Sequence, residues 1–211
     1  NFYTIYPSEH VDRDFSFYLK GNQDKVVDYF KFNDSSTGFL KNPRINMTYD
    51  NDFEGNLDEI LNTDFYYSAS GILLFSKNFY EKLKDELASE CDFFRCLVNN
   101  TESDIYAFYI KNTVNILDDD EKIIETKNID STFILKDKSK PYIYMVTEKF
   151  VKLVNSFDEF NEKLLFALYE KYGKEIINTY FDKMSSDLQE DDFLIFAKKY
   201  SAYFDNIYDG S

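Results

Sequence analysis

Two hydrophobic rhythms run along this chain, and they change over near residue 156. In the first part the apolar residues fall in short runs with the alternation of strands. Asn1–Pro7 (NFYTIYP) alternates and ends in Pro, which predicts a first strand, and Val26–Phe32 (VVDYFKF) predicts a second. Residues 33–56 are polar and punctuated by Gly38, Pro43 and Gly55, so a loop is expected, followed by a short helical turn over Asn56–Asn62. Ile72–Phe75 is a compact apolar run suited to a buried strand. Ser76 then stands where it can cap a helix through Ala88, with Phe79, Leu83 and Leu87 on one face. Further strands are predicted at Cys91–Val98, Ile105–Ile110, Ile123–Glu125, Phe133–Lys136 and Tyr142–Val146, with the polar turns of an antiparallel sheet between them.

From Ser156 the period becomes helical. Ser156-Phe157-Asp158-Glu159 has the form of a capping box, with Phe160, Leu164, Leu165, Leu168 and Tyr172 on one face behind it and Gly173 as a stop. Ile176, Ile177, Tyr180, Phe181 and Met184 suggest a second helix, and Phe193, Phe196, Ala197, Tyr200, Tyr203 and Phe204 a third. The expected fold is therefore α+β: a mostly antiparallel sheet with one or two packed helices over residues 1–155, then a helical segment over 156–211. No internal repeat is evident from the sequence.

Composition sharpens this picture in one respect, its charge. The 211 residues carry 39 Asp and Glu against 24 Lys and Arg, a formal charge of −15. A field of that sign repels nucleic-acid phosphates and anionic membranes and attracts basic partners. Direct nucleic-acid binding and membrane binding are thus disfavoured, and a basic protein is the partner class that fits. The charge would equally keep soluble a chain with 22 Phe and 18 Tyr. No apolar run approaches the roughly 20 residues of a membrane-spanning helix. Cys91 and Cys96, five positions apart on a predicted strand, point to opposite faces, so no disulfide is expected between them. Two reduced thiols suit the cytoplasm.

Catalytic motifs are scarce. The single histidine, His10, lies in a polar stretch with no nucleophile motif near it, and a surface role fits it best. The six glycines form no phosphate-binding loop, and no cofactor is expected. The run Asp118, Asp119, Asp120 and Glu121 lacks the alternate spacing and the Gly of a calcium loop. It reads as a solvated turn, and no metal is expected there. A second acidic group is Asp187, Glu190, Asp191 and Asp192; a third is Asp50, Asp52 and Glu54. Together with Tyr200 and Tyr203 on the last predicted helix, the first two groups are the candidate partner-binding residues. Carboxylates interleaved with Tyr and Phe would meet Lys and Arg with fast, salt-sensitive association.

Several segments resemble a family of bacterial immunity proteins encoded beside polymorphic toxins, formerly a domain of unknown function. The resemblance covers about residues 64–165 and rests on an ordered series. It runs through SGILLFSKNFYEKL (70–83), FFRCLVNN (93–100), YAFYIKNTVNILDDD (106–120) and IYMVTEKFVKLVNSFDEF (143–160), with FYTIYP (2–7) similar to the family's opening strand. The segment after about 161 is longer than the family pattern. The resemblance implies a non-enzymatic cytoplasmic protein that binds and neutralises a cognate toxin domain, and the family has no shared catalytic residues to carry over. The charge points to a basic toxin, as a nuclease would be. Two other classes remain open: a metal-dependent enzyme using His10 or the carboxylates 118–121, and a self-assembling scaffold or adaptor.

Overall fold

The computed structural model describes residues 2–6, 15–66, 68–120, 123–124, 129, 131–141, 143–157 and 165–169. In chain order its elements are β1 (Phe2–Tyr6), β2 (Tyr18–Leu19), α1 (Asp24–Phe32), β3 (Ile45–Thr48), α2 (Leu57–Leu61), β4 (Phe65–Tyr66), β5 (Leu73–Ser76), α3 (Lys77–Leu87), β6 (Cys91–Val98) and β7 (Thr101–Ile110), followed by β8 (Thr113–Val114), β9 (Ile134–Asp137), β10 (Tyr144–Thr147), α4 (Glu148–Asn155) and β11 (Leu165–Tyr169). Residues 1–116 with 126–169 make one compact unit, and 117–125 with 170–211 a second. All the named elements lie in the first.

The fold is α+β, as expected, with the strands divided between two sheets. One has the order β2-β3-β6-β7-β5-β4 and the other β11-β1-β10-β9-β8. Pairing is antiparallel except at β3–β6 and β8–β9. The β6–β7 hairpin turns on Asn99 and Asn100, at φ 50° and 68°. Asn tolerates the left-handed region better than most residues, which suits a two-residue hairpin. Asn46 seals the turn: its Nδ2 donates to Asn100 Oδ1 (2.7 Å), and its Oδ1 accepts from Asn100 N (2.9 Å).

The two sheets contain a repeat that the sequence conceals. β4–β5–α3–β6, closed by β7, gives the order β6-β7-β5-β4; β9–β10–α4–β11, closed by β1, gives β11-β1-β10-β9. Both are four antiparallel strands in the same arrangement. The N-terminal strand β1 fills in the second repeat the place that β7 fills in the first. Equivalent positions share environments: Ser76 and Thr147 end the strand and begin the helix, and Phe79 and Phe150 follow in its first turn. These two rings meet at a centroid distance of 6.5 Å.

Helix α3 forms where the sequence places it. Ser76 Oγ accepts from Phe79 N (3.0 Å), satisfying an amide that the helix itself leaves unpaired. Phe79, Leu83 and Leu87 are buried, each worth roughly 1.5–3 kcal/mol of transfer free energy. They join the inner faces of both sheets and α4 in one core, through Ile5, Leu73, Phe75, Phe108, Ile134, Val146, Phe150 and Val154. The other face of the first sheet packs Leu74, Ala107, Ile105, Cys96, Ile45 and Met47 against Val26, Tyr29 and Phe30 of α1. Cys91 lies in the first core and Cys96 in the second, both as free thiols, so the period-2 reading of the pair holds.

Four local expectations are corrected. Val26–Phe32 lies in the helix α1, not a strand: its buried residues Val26, Tyr29 and Phe30 are spaced i, i+3, i+4, and a run this short is ambiguous by pattern. The expected loop 33–56 contains β3, whose Ile45 and Met47 alternate into the core. Ile123–Glu125 contributes one bridge, Leu117 with Ile123, and no ladder among the described residues. Leu165–Tyr169, read as helix from Leu164, Leu165 and Leu168, is instead a strand along β1; Ser156 closes α4, its Oγ donating to Leu153 O (2.6 Å), and the residues 158–164 expected to begin a helix lie outside the described ones. An available strand edge overrides a weak helical period. The helices expected beyond 170 lie outside the described residues.

Buried carboxylates tie the elements together. Glu90, directly after α3, accepts from the backbone N–H groups of Phe133 (2.8 and 3.0 Å) and Ile134 (2.9 Å) at the start of β9. Removing this group strands two buried donors. We expect Glu90→Ala to lower the unfolding free energy by about 3 kcal/mol in urea denaturation, with the exposed Glu86→Ala within about 0.5 kcal/mol of the parent. Burial also pushes the Cys96 thiol up to about 12 and raises that of Cys91. Both thiols should therefore resist Ellman's reagent at pH 8 in the native state and react on unfolding.

Candidate functional site

The acidic run at the centre of the sequence reading is a turn, as its composition suggests. Asp118, Asp119 and Asp120 are exposed between bridge residues Leu117 and Ile123, in the second compact unit. Glu121 lies outside the described residues, as do Asp187, Glu190, Asp191, Asp192, Tyr200, Tyr203 and His10. Among the described residues no cluster of three His, Cys, Asp or Glu could hold a metal ion, and no helix is long and apolar enough to cross a membrane.

The third acidic group is the one the structure builds upon. From Ile45 to Ser76 the chain contains no Lys, Arg or His. Within that stretch Asp50, Asp52 and Glu54 are exposed, and Asp58 and Glu59 are exposed on α2. Local hydrogen bonds set the loop: Asp50 Oδ1 accepts from Asp52 N (3.1 Å), and its carbonyl from Phe53 N (3.2 Å). Asn56 then caps α2, its Oδ1 accepting from Asp58 N (3.1 Å). Acidic residues in that first turn suit the positive end of the helix.

Aromatic rings anchor the loop from beneath. Phe53 and Tyr49, both half-buried, pack on the buried Phe15 at 5.0 and 5.7 Å, and Phe15 packs on Phe17 at 4.9 Å. The Tyr18 hydroxyl is raised above its ordinary value, first by desolvation and then by the nearby Asp50 carboxylate. Carboxylates thus stand beside Tyr and Phe on a segment with no basic side chain, although the candidates chosen from the sequence were the other two acidic groups with Tyr200 and Tyr203. Leu61 on α2 leaves an apolar side chain 41% exposed. Some acidic residues elsewhere are paired instead: Arg95 sits between Glu102 and Asp104 at 3.1 Å each, and Lys77 pairs with Glu81 at 3.9 Å.

A different kind of site lies between the sheets of the first unit. Lys136 on β9 is 5% exposed. Its Nζ donates to the Phe30 carbonyl in the last turn of α1 and to Asn33 Oδ1 (2.9 Å), and it lies 5.1 Å from the Tyr109 ring centroid. A cation at a helix C-terminus is stabilised by the exposed carbonyls and the dipole. Its partners are nevertheless neutral, and desolvation lowers the amine to about 8. Lys136, Phe30, Lys31, Ile72, Phe108 and Tyr144 are among the residues around a cavity of about 230 Å³. The sequence reading passed over Lys136 as the end of a strand. The signal available was its parity with the inward-facing Ile134.

The titration of Lys136 gives a testable sign. The folded protein holds this proton less tightly than the unfolded chain, whose lysine titrates near 10.5. The associated stability is therefore full above about 10.5 and is lost as the pH falls to about 8. The unfolding free energy of the wild type relative to Lys136→Met should rise between these values by on the order of 1 kcal/mol per pH unit. Chemical denaturation of both proteins across that range measures the slope, and the subtraction removes the opposing contributions of the tyrosines and thiols. In comparisons with known proteins, no protein-family model, no curated protein and no solved structure matches this chain.

Proposed function

We propose that the protein is an acidic inhibitor that neutralises a cognate toxin domain by direct binding, as the immunity proteins that its sequence resembles do. It acts by covering a basic surface of that domain, not by catalysis, in the bacterial cytoplasm. The observation that carries this reading is the exposed set Asp50, Asp52 and Glu54 beside half-buried Tyr18, Tyr49 and Phe53, in a stretch without a basic residue and a chain of charge −15. Carboxylates there would pair with Lys or Arg that otherwise hold phosphate, which makes a nuclease the fitting toxin class. The exposed Asp118, Asp119 and Asp120 would extend the attraction and steer the encounter.

The test is co-expression with the toxic domain of the protein encoded beside this one, scored by survival and co-purification at low and high salt. Rescue with a salt-sensitive complex is expected. Loss of both rescue and complex, with the toxic domain shown active, rejects the reading. Within the complex, Asp50→Lys with Asp52→Lys should slow association about tenfold and flatten its salt dependence. Asp119→Lys with Asp120→Lys should do the same more weakly. Unchanged association rates for either pair remove that segment from the interface.

A further inference from the structure

We propose that the cavity beside Lys136 is a binding site for a small carboxylate with an apolar or aromatic body. Three observations converge on this ligand class. First, two cationic side chains, Lys31 and Lys136, and no Asp or Glu are among the described residues of the cavity, although the chain carries 39 acidic residues against 24 basic ones. Second, the Lys136 ammonium is buried on neutral acceptors alone: the Phe30 carbonyl, Asn33 Oδ1 and the face of Tyr109. An ammonium has three N–H donors, and two are used. A buried charge without a counter-charge is costly, so an anion that supplies one binds with a gain that a neutral molecule lacks. Third, most of the other side chains around it are apolar, Ile72, Leu73, Phe108 and Ile110 among them, while Ser68 and Tyr144 bring hydroxyls.

The wall also sets size and access. A space of about 230 Å³ corresponds to about eight water molecules at ~30 Å³ each, room for a single ring with a short acidic arm. Ala69 and Gly71, on the turn before β5, are exposed while lining the cavity, so the site opens to solvent there. One ammonium donor and side chains that are mostly apolar match a monoanion better than a phosphate, which needs several charged donors for its oxygens. The reading is independent of the acidic loop at Asp50–Glu54.

Benzoate and phenylacetate are the probes, with inorganic phosphate as the contrast, on the full chain. Benzoate should raise the melting temperature of the wild type saturably, by about 3 °C at concentrations far above its dissociation constant. The gain should vanish in Lys136→Met. The wild type also supplies a readout independent of that variant's folding: the side-chain carbon resonances of Lys136, in protein labelled with ¹³C-lysine, should shift along the same saturation curve. Their titration midpoint should rise as the carboxylate supplies the missing counter-charge. A melting temperature and Lys136 resonances unmoved by 10 mM benzoate, or an equal gain in Lys136→Met, would overturn the proposal. An equal response to phosphate would overturn the assignment of ligand class.

Discussion

The second sheet depends on a strand that comes from the other end of the chain. β1 pairs on one side with β10, through Phe2 with Thr147 and Tyr3 with Val146, and on the other with β11, through all five of its residues. Without it β10 and β11 have no common neighbour, and the β9–β10–α4 unit is left with an open edge. The equivalent place in the first sheet is filled by β7, which follows β6 through a two-residue turn. One sheet is thus closed locally and the other by contacts between residues about as far apart as this unit allows. Closing the long loop costs entropy before any of its contacts form, so the second sheet should assemble after the first.

That asymmetry explains what could and could not be read from the residues. The α+β class was legible, and so was β5–α3, because Ser76 caps its helix locally and Phe79, Leu83 and Leu87 mark one face. α1 was missed because Val26, Val27, Tyr29, Phe30 and Phe32 satisfy a strand pattern as well as a helical one; only packing against Phe94 and Tyr109 decides between them. β11 was missed because its state is set by β1, and no local window contains both. The repeat was hidden for a related reason. Over LLFSKNFYEKL (73–83) and YMVTEKFVKLV (144–154) the aligned positions share one identical residue, Phe79 with Phe150, and otherwise only their pattern.

The acidic surface and the aromatic core answer to each other. A charge of −15 opposes compaction by self-repulsion, and the rings supply large buried areas against it. Phe75 stacks on Phe79 at 4.3 Å, Tyr80 on Tyr106 at 4.1 Å and Tyr29 on Tyr109 at 4.3 Å, so the stacking spans both faces of the first sheet. The carboxylates that do go inside are used as acceptors. Asp64 takes the Ser76 hydroxyl (2.6 Å), Glu90 takes two backbone amides of β9, and Asp137 takes those of Ile116, Ser139 and Lys140. Each one satisfies donors that a strand end or turn would otherwise leave unpaired, which justifies its burial.

The same logic separates the two sites. Asp50, Asp52 and Glu54 are exposed and hydrated, so their effect on any approaching charge is long-range and falls with salt. The aromatic floor of Phe15, Phe17, Tyr49 and Phe53 holds their loop in shape, which would lower the entropy lost if a partner bound there. Lys136 is the reverse case: one cation, already dehydrated, whose interaction with an anion is short-range and little screened. A surface of the first kind suits a large partner met by diffusion, and a pocket of the second kind suits a small molecule that must be recognised at contact. A chain with so many acidic side chains could have placed one opposite Lys136, as it did at Arg95. It places the Phe30 carbonyl and Asn33 there instead, and the amine keeps a donor to spare.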